Sequence, residues 1–462
     1  MKYSTPLCVI FTFFLAACST NNISKESFNI VLITIDTLRA DHLSCYGYER
    51  ETSPAIDNVA EKGILFKNVI APSSWTAPSM VSLFTSTYPV NHGVIHGVGY
   101  RRDETIHIQE VFSDELITLA EILQAHEYTT FGVTSNLHLS EKFGFARGFD
   151  YFKCLPWFSA PPVNQEIYSW EDEIKKSEKF FLWVHYFDPH IPYLAQKPWV
   201  ENYTSQALTE KLNLSNKSSG ELEGLASTFK KDPQAVSNLI ALYDSEVNFV
   251  DSHVGALIEK FELDKNTLVI ITSDHGEEFL EHNHLGHGKN LFQETIHIPL
   301  IVKLPYSVNK ETIETHVNLI DIMPSILQMI NITVPDQALG RNFREKEGPF
   351  VWLQKIALRR DVPSDYSFSE LDTKHILKSI TTPEWKYIYN YTDRTEQLYN
   401  LNDDPLEVNN LAGKKAKECE RLYVQLFNWA ANSKKYPTKS QQLELSQEEK
   451  EQLEALGYLQ TQ

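Results

Sequence analysis

The chain has 462 residues, five of them Cys, and a formal net charge of -19. That length supports a large buried core with a smaller second unit beside it. The negative charge argues against nucleic acid as a partner and leaves any anionic substrate to be drawn in by local groups.

In chain order, Lys2 precedes an apolar run, Leu7 to Ala17, too short to span a bilayer but suited to a signal-peptide core. It ends Leu15-Ala16-Ala17-Cys18, which resembles a bacterial lipoprotein processing site. Cleavage there predicts a signal over 1–17, a lipidated Cys18 and a polar tether over 18–27. Ser19 resembles the residue found in lipoproteins sent to the outer membrane, so the expected location is the cell envelope, facing the periplasm or the surface. The alternative is an ordinary signal peptide with an incidental Cys. Cys8 lies in the signal. Cys45, Cys154 and Cys419 remain, with no paired spacing, so neither a disulfide framework nor a Cys-type zinc site is expected.

Phe28 to Ile35 is a near-continuous apolar run, the pattern of a buried parallel strand. Ser53 to Gly63 reads as a helix with Ser53 as its cap, Pro54 first and Gly63 at its end. Strands are expected at Leu65 to Ile70, Thr129 to Thr134, Phe180 to Tyr186 and Thr267 to Thr272, and a helix at Thr118 to Ala125. Val236, Ile240, Tyr243, Val247, Val250, Val254, Leu257 and Phe261 mark one face of a long helix. Such alternation predicts an α/β fold: a mostly parallel sheet with helices on both faces, ligands binding beyond the carboxyl ends of its strands. The catalytic unit is expected over 28–345. A C-terminal unit over 346–462 is expected to hold a strand pair around Pro383-Glu384, a strand at Glu396 to Leu401, a helix at Lys414 to Ser433 and a charged helical tail.

Two distant stretches carry the chemistry. Ser74-Trp75-Thr76-Ala77-Pro78-Ser79 places a hydroxyl at a helix start, where free N–H groups can hold an oxyanion. Ser273-Asp274-His275-Gly276-Glu277-Glu278 ends an apolar strand in Asp-His, with His282, His284 and His287 behind, and reads as a metal site. Asp36 ends another apolar strand, where an unpaired charge would be costly. Together they resemble the sulfatase family of the alkaline phosphatase superfamily. The resemblance extends through Ile35 to His42, Tyr88-Pro89, Gly148-Phe149-Asp150, the loop Asp188 to Tyr193, Trp385-Lys386-Tyr387, Asp404-Pro405 and Leu456 to Leu459.

It implies a metal-dependent ester hydrolase with a divalent ion between Asp36, Thr76, Asp274 and His275. Imidazole among the ligands favours zinc or manganese; calcium is left one carboxylate short by Thr37, which stands where the family usually has a second Asp. His190 and His287 are the candidates for leaving-group protonation, and His185 and the weaker Lys289 for substrate contact. Asp188 with His282 or His284 could complete a second metal site, and Glu277 and Glu278 could orient the ligand His.

The main departure is Thr76, where the family carries the Cys or Ser that becomes an aldehyde hydrate. Met80 replaces the motif's usual Arg, and Ser135-Asn136 falls near the family's Gly-Lys-Trp-His segment. Oxidised Thr would be a ketone, so an unmodified Thr76 attacking phosphorus is expected, with a phosphorus ester favoured over a sulfate ester. The substrate is expected to be a small-molecule, glycan or lipid ester. A sulfatase proper, an envelope phosphoethanolamine-type transferase and a non-catalytic binding protein are the alternatives.

Overall fold

The computed structural model describes residues 28–95, 108–194, 196–204, 224, 226–343, 366–442, 446–447 and 449–450. The expected signal, Cys18, the tether and most of the C-terminal tail lie outside these residues. Its strands are β1 (Asn29–Ile35), β2 (Ile64–Ile70), β3 (Ile108–Val111), β4 (Thr129–Thr134), β5 (Tyr151–Cys154), β6 (Phe180–Tyr186), β7 (Thr267–Ser273), β8 (Glu278–Phe279), β9 (Leu285–Gly286), β10 (His297–Lys303), β11 (Glu311–Asn318), β12 (Ser367–Asp372), β13 (Ile376–Thr381), β14 (Trp385–Asn390), β15 (Thr395–Asn400) and β16 (Lys439–Gln442).

Eight strands form the central sheet, in the order β11-β2-β10-β7-β1-β6-β4-β5. Only β10 runs against the rest. β1 is buried on both faces because alternate residues point to opposite sides. Ile30 and Leu32 enter one core, and Val31, Ile33 and Ile35 enter the other. The helix Thr76–Thr85 covers the first face through Met80, Leu83 and Phe84. The helix Pro233–Lys260 covers the second through Leu242, Tyr243, Val250 and Val254. Among the described residues no helix is long and apolar enough to cross a membrane, and Cys45, Cys154 and Cys419 are free thiols.

The expected helix after Ser53 spans Pro54–Ala60, but Ser53 does not cap it. Its hydroxyl donates to Asp57 Oδ1 at 2.9 Å. The open N–H groups of Ala55 and Ile56 donate instead to Asp251, at 2.9 and 2.8 Å, from the long helix. Burial pushes the Asp251 carboxyl up to about 7, against the pull of those two N–H groups. Folding therefore favours its neutral form. That contribution is complete below the ordinary value of 3.8 and is lost as pH rises through about 7. We expect the thermal midpoint of the wild type, relative to Asp251→Asn, to fall between pH 5 and pH 8; a pH-independent difference would contradict this account.

β12 to β15 form a four-stranded antiparallel sheet. The helix Ala416–Asn432 packs Cys419, Leu422 and Leu426 against Phe368, Ile380 and Leu398. This small unit grips the catalytic domain where it matters for the site. Ser369 Oγ donates to the Ala71 carbonyl at 2.7 Å and Glu370 N to that of Pro72 at 2.9 Å, fixing the loop that leads to Thr76. Lys386 and Glu407, both fully buried, pair at 3.3 Å. Glu407 also accepts from Gln293 N at 2.7 Å, which anchors the segment behind His287.

Candidate active site

The sheet order explains why Asp36 and Asp274 meet: they follow adjacent parallel strands, β1 and β7. Thr76 opens the helix Thr76–Thr85 after the loop from β2. Its Oγ1 lies 3.2 Å from His275 Nε2. That nitrogen is 3.3 Å from Asp274 Oδ2 and 3.7 Å from Asp36 Oδ1.

Each ligand candidate is held by its other atom. Asp274 Oδ1 accepts from Thr37 N at 3.2 Å and His275 N at 2.9 Å. Asp36 Oδ2 accepts from Asn136 Nδ2 at 2.7 Å and meets His185 Nε2 at 3.3 Å. His275 Nδ1 donates to the Gly276 carbonyl at 2.9 Å, which turns the lone pair of neutral His275 to Nε2. Asp36 Oδ1 and Asp274 Oδ2 remain buried without a hydrogen-bond partner. Unsatisfied buried carboxylate oxygens are costly. These two and His275 Nε2 lie within 4.8 Å of one another, a donor set that fits one divalent ion.

Electrostatics agree. Burial pushes Asp36 up, but His185 and the nearby imidazoles of His190 and His275 outweigh it and hold the carboxylate below its usual range. Burial, reinforced by the charge of Asp36, raises Asp274. Burial opposes a charged His275, yet the two carboxylates prevail and raise it. The backbone here is strained: Thr37, a β-branched residue, sits at φ 56°. Its N–H reaches Asp274, and its carbonyl accepts from Tyr243 OH at 2.9 Å.

His190 and His287 join the cluster, their ring centroids 4.8 Å apart, with His287 4.5 Å from His275. Burial drives His190 down to about 4, so it is neutral at ordinary pH. His287 Nδ1 faces Glu277 Oε1 at 3.0 Å, and burial pushes that carboxyl up to about 7. Glu277 thus orients His287 rather than the ligand candidate His275. Glu278 instead accepts from the N–H groups of His282 and His284, which shapes the loop.

His185, expected as a substrate contact, is as fully buried as Asp36 and Thr76, with Nδ1 on Thr34 Oγ1 at 2.9 Å and Nε2 3.3 Å from Asp36 Oδ2, and so also steadies a ligand candidate. The second metal set does not assemble among the described residues. Asp188 accepts from Ala160 N at 2.8 Å and hydrogen-bonds to Glu246, while His282 pairs with Glu294 at 2.6 Å. Lys289 lies beside Glu277, and its Nζ donates to the Leu285 carbonyl at 2.5 Å. Asn136, in the sequence only a departure from the family's pattern, holds Asp36 through a bond that no local pattern announces.

A family model described as Sulfatase matches residues 28–332. The chain belongs to the sulfatase family. It is an ester hydrolase, and enzymes of this family commonly use a divalent metal. A second model, N-sulphoglucosamine sulphohydrolase, C-terminal, matches residues 281–431. The chain is 24% identical to the ulvan-active sulfatase of Formosa agariphila, over 91% of this chain and 85% of that one. It is 22% identical to the N-acetylglucosamine-6-O-sulfatase of Bacteroides thetaiotaomicron, over 91% and 90% of the two chains. Among solved structures, the phosphonate monoester hydrolase of Agrobacterium radiobacter superposes with a TM-score of 0.67 at 19% identity, over 91% and 99% of the two chains, which shows a shared fold.

Proposed function

We propose that this sulfatase-family enzyme hydrolyses a phosphorus ester through the unmodified hydroxyl of Thr76. The observation that carries this reading is Thr76 itself, at a helix start with Oγ1 3.2 Å from His275 Nε2 and beside two unpartnered carboxylate oxygens. Asp36, Asp274, His275 and Thr76 would hold the ion, with zinc or manganese favoured by the imidazole. When bound, such an ion lowers the pKa of a ligated hydroxyl and neutralises charge on the ester oxygens. The chain's own groups do the rest. Thr76 Oγ, its proton released to solvent, forms a bond to phosphorus as the ester bond breaks, the N–H groups at the helix start face the oxyanion, and His287, oriented by Glu277, donates a proton to the departing alcohol oxygen and takes one back from the water that attacks next. Water then cleaves the phospho-threonine.

The relatives' names support a small-molecule or glycan ester as substrate, and they leave sulfate as the competing centre. A panel of aryl phosphate, phosphodiester, phosphonate and sulfate esters decides between them. We expect at least one phosphorus ester to exceed every sulfate ester in kcat/KM; faster aryl sulfate cleavage would make the protein a sulfatase in the strict sense. Strict dependence on an acceptor alcohol would make it a transferase.

We also propose anchoring to the envelope membrane, on the outer-membrane side of the sorting signal, through a lipid on Cys18. The Leu15-Ala16-Ala17-Cys18 junction supports it. Cys18→Ala is expected to move the protein from the membrane to the soluble fraction. Unchanged membrane retention would count against lipidation.

A further inference from the structure

Two polar residues interrupt the apolar strands that lead to the site. β1 and β6 run side by side in parallel, with Leu32 opposite Trp183 and Thr34 opposite His185. Asp36 N donates to the Tyr186 carbonyl at 2.9 Å, which carries the ladder one step past the strand. Side chains alternate along a strand, so Ile30, Leu32, Thr34 and Asp36 share one face of the sheet with Trp183 and His185. Thr34, Trp183 and His185 are all fully buried. Packing alone would be served by an aliphatic residue at position 34, as it is at Ile30 and Leu32. A buried hydroxyl and imidazole are tolerated when they are hydrogen-bonded, and here they bond to each other.

The hydrogens of this row have a direction. Trp183 Nε1 can only donate, and it does so to Thr34 Oγ1 at 3.0 Å. The Thr34 hydroxyl donates to the nearer of its two acceptors, His185 Nδ1 at 2.9 Å rather than the Val184 carbonyl at 3.3 Å. A neutral imidazole that accepts at Nδ1 carries its proton on Nε2, which lies 3.3 Å from Asp36 Oδ2. The second donor to that oxygen is oriented in the same manner. Asn136 Oδ1 accepts from His138 N at 3.0 Å, which leaves its Nδ2 to donate to Asp36 at 2.7 Å. Both donors end on Oδ2, whereas Oδ1 has no hydrogen-bond partner among the described residues.

We propose that Trp183, Thr34 and His185 are positioning residues that restrict Asp36 to ligation through Oδ1 alone, and that this restriction selects zinc or manganese over calcium. The proposal rests on the reading of Asp36, Asp274 and His275 as ligands of the ion. Calcium takes about six to eight oxygens, often both from one carboxylate, whereas zinc is complete with about four donors. With Oδ2 held by two oriented donors, the carboxylate cannot turn to offer both oxygens.

The test is equilibrium metal binding by the intact protein. The chain is stripped with a chelator, and affinities for zinc, manganese and calcium are read by competition with a metal-sensitive dye. The wild type is expected to bind zinc or manganese more tightly than calcium. His185→Phe keeps a ring and removes the donor. It should weaken the preferred ion by about tenfold or more while calcium affinity stays within about threefold, so that selectivity narrows. His185→Gln, whose amide can still donate to Oδ2, should keep the wild-type selectivity within about threefold. Thr34→Val should narrow it as His185→Phe does, and Thr34→Ser should not; this pair carries the comparison if His185→Phe does not fold. In protein labelled with ¹⁵N-histidine, the resonances that vanish in His185→Gln should be those of a neutral ring protonated at Nε2. Tighter calcium binding by the wild type, equal losses for all three ions in His185→Phe and His185→Gln, selectivity unchanged in Thr34→Val, or a His185 ring bare at Nε2 would overturn the proposal. Failure of the ligand reading would show separately, as wild-type affinity for all three ions in Asp274→Ala.

Discussion

Thr76→Ala is expected to lower kcat/KM by at least about a thousandfold, because loss of the nucleophile removes a whole reaction path and not one stabilising contact. Thr76→Ser should retain a measurable part of the rate. It keeps the hydroxyl at the helix start and loses only a methyl group. The fold should survive both changes. Among the described residues the Thr76 hydroxyl hydrogen-bonds to His275, and the helix it opens is packed through Met80, Leu83 and Phe84. Wild-type thermal midpoints alongside lost turnover would assign the effect to chemistry. Turnover within about tenfold of wild type in Thr76→Ala would assign attack to another group.

The second large effect concerns the carboxylates. Asp274→Ala is expected to abolish both metal retention and activity, since it leaves only Asp36, His275 and the Thr76 hydroxyl to hold the ion. Asp274→Asn separates metal binding from folding. Its amide oxygen still accepts from the N–H groups of Thr37 and His275, but the anionic charge is gone. Chelation of the wild type should also lower thermal stability, because an ion bound only by the native state stabilises it by about 4 kcal/mol at a thousandfold excess over Kd. Elemental analysis and melting curves with and without chelator check both points. Full activity and an unchanged melting curve in a metal-free preparation would contradict the assignment.

Strands buried on both faces were legible because they are short runs of apolar, aromatic and β-branched residues with hardly a charge among them. Phe180 to Tyr186 and Thr129 to Thr134 match their strands end to end. What escaped were elements whose stability is not written in their own hydrophobicity. β11 is an edge strand with an exposed, charged half. β10 carries Pro299 at a register shift between Ile298 and Leu300, and its antiparallel course depends on its neighbours. Capping by Asp251, nearly two hundred residues from the helix it caps, has no local signal at all. The site shows the same division. Asp36, Asp274, His275 and Thr76 were readable as ends of elements. The roles of Asn136, of His185 beneath Asp36 and of Glu277 behind His287 depend on which side chain another residue meets across the sheet. The pairing of Asp188 with Glu246 was hidden for the same reason, and it occupies a residue that residue type alone had offered to a second metal.

The central claim is that Thr76, chemically unaltered, takes the transferred group. Rapid acid quenching of the metal-loaded enzyme during turnover of an aryl phosphorus ester, followed by mass spectrometry of the peptide containing Thr76, tests it most directly. The account predicts a phosphoryl-type adduct on an otherwise unmodified Thr76, absent before substrate is added and lost on further incubation. An adduct on another residue, or oxidation of Thr76 in the resting enzyme, would contradict it.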